Sequence, residues 1–412
     1  SGTARAVTPA GLHQKTSSAT AIGLVELATT AETATGTDTA RAVTPDGLHD
    51  MTTLSGAAWL KDEDDMATNS ATVVASQQSI KAYVDASVRA HNHLINGEFS
   101  VSQKATSFVA GANNDDVYTL DRWNLVSEGN DIVDVTQSTT VPTGGALKSI
   151  ALDVETANKQ FGIVQIIEAA NCTGLIGNEV TFSFKAKVSN VRLGDVRAGI
   201  IAWSSTADVV TSDVVATYNN DANPTLASNL TFENTPSDLN LTTSWVTYSV
   251  TGTIDTGSTT NVIVDSTTTA GDFLYITDCQ LEVGGVATDF VRESISTTLS
   301  KCHRYLEIWP GHGADQTYIA AGYVGSTSGA LVPVQYVAKR ATPTLIISAA
   351  SDINIIQPAG ATALTGLAIS QATPNTARLE PADSGAGFTA GQPCNIYLDT
   401  GAGTYIGFSS EL

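Results

Sequence analysis

His91 and His93 flank a single asparagine in the stretch HNH. In an extended chain, residues i and i+2 project from one face, so both imidazoles could meet a transition metal together. Three chains meeting on an axis would offer six such nitrogens. The plainer reading is a pair of exposed histidines at a helix C-terminus, where positive charge is favoured. Sugar recognition would draw on a different set, exposed aromatic rings beside polar side chains. Trp203 and Tyr218 lie near loops, and Tyr318, Tyr323, Tyr397 and Tyr405 recur among glycines toward the C-terminus. Trp309 and His312 sit in WPGHG, whereas Trp123 and Trp245 read as core or half-buried. Packing is the plainer role for each ring taken singly.

Nothing in the spacing of the residues selects a catalytic set. Glycoside hydrolysis needs two carboxylates at a set separation in a cleft, and acyl transfer needs a nucleophile beside its base. The 41 acidic residues include no local constellation of that kind. GAGTYIG, residues 401–407, lacks the helix that a phosphate loop requires. Cys172, Cys279, Cys302 and Cys394 form no C-x-x-C pair, so buried free thiols are expected rather than a zinc site or a disulfide framework. A non-enzymatic role is expected.

The 412 residues could build two or three domains, and a hydrophobic content of 42% suffices for globular cores. Only 15% of residues are charged and the net charge is −21. Such a surface repels nucleic acid and anionic membranes, and no run approaches the ~20 apolar residues of a membrane span. No secretory leader is recognised, and because the numbering opens in mid-repeat, further residues are expected upstream of Ser1. The 34 glycines and 12 prolines, among many Thr, Ser and Val, suit β structure with tight turns.

The elements that must carry these residues divide at about residue 95. TARAVTPAGLH at 3–13 returns as TARAVTPDGLH at 39–49, and a degenerate third copy begins at Thr68. Ile22, Leu24, Val25 and Leu27 form a short apolar cluster between copies. Units this poor in apolar residues cannot bury them alone and need neighbours. Thr8-Pro9 and Thr44-Pro45-Asp46 read as helix starts, and Ser76 as an N-cap. Beyond it Ile80, Val84, Val88 and Leu94 or Ile95 make a thin stripe that suits a coiled-coil seam.

From Asn96 the period becomes two. In EVTFSFKAKV, Val180, Phe182, Phe184, Ala186 and Val188 share the inner face. In FLYITDCQLEV, Phe273, Tyr275, Cys279, Leu281 and Val283 are expected inside, with Asp278, Gln280 and Glu282 outside. Further strands are expected at LKSIALDV, GIVQIIE, AGIIAW, SWVTYSV, TYIAAGYVG, ALVPVQYVAK, TPTLIIS, INIIQ, CNIYLDT and TYIGFSSEL. The expected chain is mainly β. It has a repeat shaft (1–75), a short helix and linker (76–95), an antiparallel β-sandwich of jelly-roll type (96–292), a junction (293–309) and a small C-terminal β domain (310–412).

ATAIGLVELATTAETATGTDTARAVTPDGLH resembles the tail-fibre repeat of tailed bacteriophages, and LKDEDDMATNSATVVASQQSIKAYVDA resembles the segment that follows it. NHLINGEFSVSQKATSF with YTLDRW, and CQLEVGGVATDFVRESISTTLSKCHRYLE, resemble the two ends of the jelly-roll domain of such fibres. Asn96, Gly97 and Phe99, with Tyr275, Ile276, Asp278, Leu281 and Glu282, are also similar to the opening and closing motifs of carbohydrate-binding modules. The resemblance implies a homotrimeric fibre on the virion, exposed to the medium after assembly in the host cytoplasm. It implies tail or baseplate partners on the N-terminal side and a host glycan or outer-membrane receptor at the distal end. A connector that never touches the receptor and a polysaccharide-degrading tailspike are the alternatives. Fibre trimers that hold a metal through H-x-H lend His91 and His93 that role. Carbohydrate-binding jelly rolls lend a structural calcium to Glu98 and Asp278, with carbonyls around Asn96.

Overall fold

The computed structural model describes residues 25–37, 39–46, 60–63, 73–81, 83, 91–191, 193, 195–219, 222–255, 259–266, 271–401 and 403–412. It divides into two units, 1–88 and 89–412.

In the first unit, Thr29 caps the helix Thr30–Thr35 through a reciprocal capping box with Glu32, and Gly36 ends it at φ 67°. Leu27 bridges Ala42 in parallel, and helical conformation begins at residue 45. The same order recurs where Leu60–Lys61 pairs in parallel with Val74–Ala75 and helical conformation follows from residue 77. Ser76 is the expected cap, its Oγ accepting from the Ser79 amide at 2.9 Å. Val25, Leu27, Val43, Val74 and Ile80 are all exposed, as units too apolar-poor to fold alone require. The first repeat copy with Thr8-Pro9, the residues Ile22 and Leu24, and the seam positions Val84 and Val88 lie outside the described residues.

The second unit contains two six-stranded antiparallel sheets. The first runs in the order Val246–Thr253, Glu179–Val188, Phe273–Val283, Ser149–Val154, Val133–Ser138, Ser107–Phe108. The second runs Leu230–Phe232, Arg197–Trp203, Thr259–Ser266, Phe161–Ile166, Asn124–Ser127, Val117–Tyr118. Their facing sides share one core that includes Phe182, Phe184, Leu152, Ile163 and Ile200, the sandwich expected from the alternation. Leu94 belongs to this core and not to a helical seam, so the sandwich takes in residues before Asn96.

The two sheets differ on their outer sides. Val126, Val164, Ile166 and Ile201 of the second sheet are buried under Val210, Val214 and the chain around Leu226, so that sheet is covered on both faces. The outer face of the first sheet is only partly covered, with Phe273, Tyr275 and Lys187 half-buried there, and that difference places the candidate site.

A nine-residue helix, Ile295–His303, capped by Ser294, leads into Leu306–Pro310. That strand belongs to a three-stranded sheet with Tyr405–Ser409 and Thr344–Ile347, so the expected junction is part of the C-terminal fold. A seven-stranded antiparallel sheet completes it, including Gly360–Ala363, Gly366–Ser370 and Thr376–Ala382, which the sequence reading did not separate as strands. All four cysteines are free and buried. No helix of the described residues is long and apolar enough to cross a membrane.

Ionic groups, buried at Arg122–Glu411 and half-exposed at Arg304, join these sheets to the sandwich. Arg122, 1% exposed and at φ 74°, pairs with Glu411, donates to the Ile166 carbonyl at 2.6 Å, and lies 3.6 Å over the Tyr305 ring. Arg304 grips Glu168 bidentately at 2.9 and 2.7 Å. The Tyr118 hydroxyl donates to the Leu412 carbonyl at 2.8 Å. Burial pushes the Glu411 carboxyl up although Arg122 opposes it. Removing one partner of such a pair leaves a buried charge unanswered. Arg122→Met should therefore cost about 3–5 kcal/mol. Arg122→Met with Glu411→Leu should recover much of that loss. Denaturant midpoints of the two variants check this, and equal losses would refute the pairing as the cause.

Candidate functional site

The strand Phe273–Val283 changes phase halfway. Thr277 pairs with Lys185 but Gln280 pairs with Ser183, so three steps on one strand match two on its neighbour. The inserted residue is Asp278, at φ 54°. Before the bulge Leu274 and Ile276 enter the core, and after it Cys279 and Leu281 do. Phe273 and Tyr275 therefore face outward, which corrects the expectation that they point inside. Gln280 and Glu282 do face outward, yet are buried rather than solvated. Glu282 accepts from the Thr288 amide at 2.8 Å and hydroxyl at 2.6 Å, and Gln280 accepts from the Val291 amide at 2.8 Å. Residues 288–291 thus cover the lower half of the strand.

The N-terminal segment makes room for this bulge. Asn92 donates to the Cys279 carbonyl at 2.9 Å and accepts from the Leu281 amide at 3.0 Å. The Gly97 carbonyl accepts from the Cys279 amide at 2.9 Å. A Cβ on Gly97 would lie 2.0 Å from the Cys279 carbonyl oxygen, so only glycine permits this approach.

Above the bulge the outward rings gather. Phe273 and Tyr275 stack with centroids 5.7 Å apart at 12°, and Trp245 stands 6.4 Å from Tyr275. Lys187, directly opposite Tyr275 in the register, sets its Nζ 5.1 Å from the Tyr275 centroid and 5.7 Å from that of Trp245. The four side chains are half-buried. On the other side of the strand Ala151 is opposite Tyr275 and Asp153 opposite Phe273, and Asp134 is opposite Asp153. Burial raises the carboxyl pKa of both aspartates, as it raises the Tyr275 hydroxyl. The result is a partly desolvated aromatic cluster, with Trp245 tilted 60° to Tyr275, a cation inside it and carboxylates at its edge.

The six aromatic residues singled out in the sequence do not converge. Trp203 packs beside Val214 and Leu226, its indole donating to the Thr206 carbonyl at 2.7 Å, and Tyr218 is half-buried elsewhere in that region. Tyr318 is exposed and lies 5.4 Å from the buried Tyr397, at a cavity of about 380 Å³ shared with Gln357 and Asn395. Tyr323 is exposed on the same strand as Tyr318, and Tyr405 lies on the three-stranded sheet. Trp123 is core, as read, and Trp245 is half-buried at the edge of the aromatic face. The sequence reading missed Phe273 as a site residue because its orientation depends on the bulge, and missed Lys187, outward by simple alternation, because only the strand register sets it opposite Tyr275.

Glu98 and Asp278 do meet, but around cationic side chains. Arg292 pairs with Glu98 and with Asp278 Oδ2 at 3.0 Å, and Lys185 reaches the same Oδ2 at 2.9 Å. The Asn96 carbonyl accepts from the Trp123 indole at 3.1 Å and the Phe99 amide at 2.9 Å. Of the oxygens the resemblance offers to calcium, Asp278 Oδ1 has no hydrogen-bond partner. Calcium takes six to eight oxygens, so this donor set, already charge-neutral, does not fit it.

His91 and His93 lie 4.9 Å apart, edge to face, beside the sandwich. Among the described residues no group of three or more His, Cys, Asp or Glu is placed to hold a metal. Burial, then the neighbouring His91, pushes the His93 pKa from 6.5 down to about 4, against a hydrogen bond with the Asn171 backbone. The unfolded chain takes up this proton at higher pH than the fold does. Stability is therefore full above pH 6.5 and is lost as pH falls toward 4. Allowing for its exposed part, the loss should be about 1–2 kcal/mol. His93→Gln should flatten that share of the decline, measured as urea midpoints at neutral and mildly acidic pH against the parent chain. An unchanged pH profile would show that His93 is not the group responsible.

No family model matches the chain, and no curated protein matches it. Among solved structures it is similar to the enzymatically active domain of bacteriophage CBA120 tailspike protein 4. That alignment has 17% identity, covers 47% of this chain and 21% of that one, and has a TM-score of 0.30. The chain thus spans about a fifth of the tailspike's length. A putative sugar binding protein from Bacteroides thetaiotaomicron is 14% identical, with 47% and 100% covered and a TM-score of 0.29. TmCBM61, in complex with β-1,4-galactotriose, is 12% identical, with 47% and 99% covered and a TM-score of 0.28. All three scores lie below 0.5, so the β-sandwich is established by the strand pairing above and not by these likenesses.

Proposed function

We propose that this chain is a tail-fibre protein of a phage-type virion whose sandwich binds a host-surface glycan on the Trp245–Lys187–Tyr275–Phe273 face. The observation that carries the binding reading is that face. Three aromatic rings gather on the part of this sheet's outer side that residues 288–291 do not cover, whereas the partner sheet is covered on both sides. Aromatic faces of this kind stack on the apolar side of a sugar ring, while carboxylates such as Asp153 and Asp134 accept its hydroxyl protons. The net charge of −21 favours a neutral glycan over an acidic one. The fibre reading rests on the repeat, and the exposed Val25, Leu27, Val43, Val74 and Ile80 support burial between chains of a homotrimer. Three sites per fibre would strengthen weak single contacts.

The full chain should bind neutral oligosaccharides from host-surface polysaccharide with modest affinity. Trp245→Ala and Tyr275→Ala should each weaken that binding about tenfold, equal to about 1.4 kcal/mol, with the unfolding transition little changed because both rings are half-buried. Calorimetric titration checks this. Binding unchanged in the double variant sinks the proposed face, and release of reducing sugar would favour the tailspike alternative. Light scattering should give three times the chain mass, whereas a monomer would sink the fibre reading.

A further inference from the structure

The ionic cluster beside the aromatic face is a built position. Arg292 is held by four constraints, three of them from other parts of the chain and one from its own segment. It pairs with Glu98 of the N-terminal segment and with Asp278 at the bulge, and it lies 5.2 Å over the Phe290 ring. A Cβ on Gly145 would fall 2.5 Å from its Nη2, so the absence of a side chain there leaves space for the guanidinium. Lys185 adds a second positive charge on the same Asp278 oxygen. Asp278 is 2% exposed, and a buried carboxylate needs a cationic or hydrogen-bonding partner. Two carboxylates against two cations leave no net charge for a dication to neutralise.

We propose that Arg292, supported by Lys185, is a built-in cation that ties the N-terminal segment of the sandwich to the bulged strand, in the place where the sequence resemblance implied calcium. The closure of the sandwich is then independent of divalent metal, and stability is the same in chelator and in calcium. The geometry also specifies what its removal leaves. Glu98 and Asp278 would face each other as an unneutralised dicarboxylate, together with the unpartnered Asp278 Oδ1. That arrangement is a starting point for calcium or a similar oxygen-seeking dication. Metal binding to the folded state alone would appear as added stability.

The test is thermal unfolding of the full chain and of Arg292→Gln and Arg292→Lys, each in chelator and in millimolar calcium. The parent midpoint should not move with calcium. Arg292→Gln should fall by about 3 °C or more in chelator and recover at least half of that loss in calcium. Arg292→Lys, which keeps the charge, should stay calcium-insensitive. A parent chain whose midpoint rises with calcium overturns the proposal, because the native site would then be a metal site. A glutamine variant that is unaffected overturns it as well, since the position would carry no closure. A glutamine variant that loses stability but gains nothing from calcium overturns the equivalence of guanidinium and dication. None of these readouts involves glycan, so they stand or fall separately from the binding face.

Discussion

One inserted residue in one strand governs the arrangement of the sandwich. Asp278 sits at φ 54° where two residues of Phe273–Val283, Asp278 and Cys279, oppose one of Glu179–Val188. A bulge exchanges the inner and outer faces of everything beyond it. Upstream, the exchange turns Phe273 and Tyr275 toward solvent beside Lys187 and Trp245. At the bulge itself, it aims a carboxylate at Lys185 and Arg292. Downstream, it sends Gln280 and Glu282 under residues 288–291, where their hydrogen bonds are met within the chain. The proposed binding face and the proposed ionic clasp are thus two consequences of the same local geometry. Gly97 and Asn92 hold the bulge by occupying the backbone groups that a bulged ladder leaves free.

The chain is acidic, with 20 Lys and Arg against 41 Asp and Glu, and several of its few cations lie at joints. Arg122 sits against Glu411, Arg304 against Glu168, Lys339 against Glu307, and Arg292 with Lys185 against Glu98 and Asp278. Each joins segments distant in sequence. For the two buried pairs, Arg122–Glu411 and Lys339–Glu307, pairing is not strongly stabilising compared with apolar packing, but breaking it is costly. That asymmetry suits joints that must have one geometry. The chain as a whole is left with excess negative charge.

The repeat unit follows a different logic. Its short parallel bridges, each followed by a helix start, recur in two copies whose apolar side chains remain exposed. Such a unit gains little from folding alone, because the area it buries cannot match the conformational entropy it loses. In the proposed fibre its repetition would set length, while the second unit would carry the binding face.

Some of this was legible without any structure. Glu179–Val188 alternates without interruption, so period two alone identified Val180, Phe182, Phe184, Ala186 and Val188 as core. The Thr44 and Ser76 helix starts were readable because capping is local, within three or four residues. Phe273–Val283 could not be read correctly by the same rule, because its phase depends on a segment near Gly97 that arrives from far upstream. Leu94 joined the sandwich core for the same reason, and nothing in its spacing separated it from the stripe before it. The sequence by itself determined the strongly alternating strands such as Glu179–Val188, where the repeats lie and which side chains are apolar enough to need burial. Only the tertiary structure decided which aromatic rings face outward and which cation answers Glu98 and Asp278. Those outcomes depend on pairings across the sandwich, and local spacing carries no information about them.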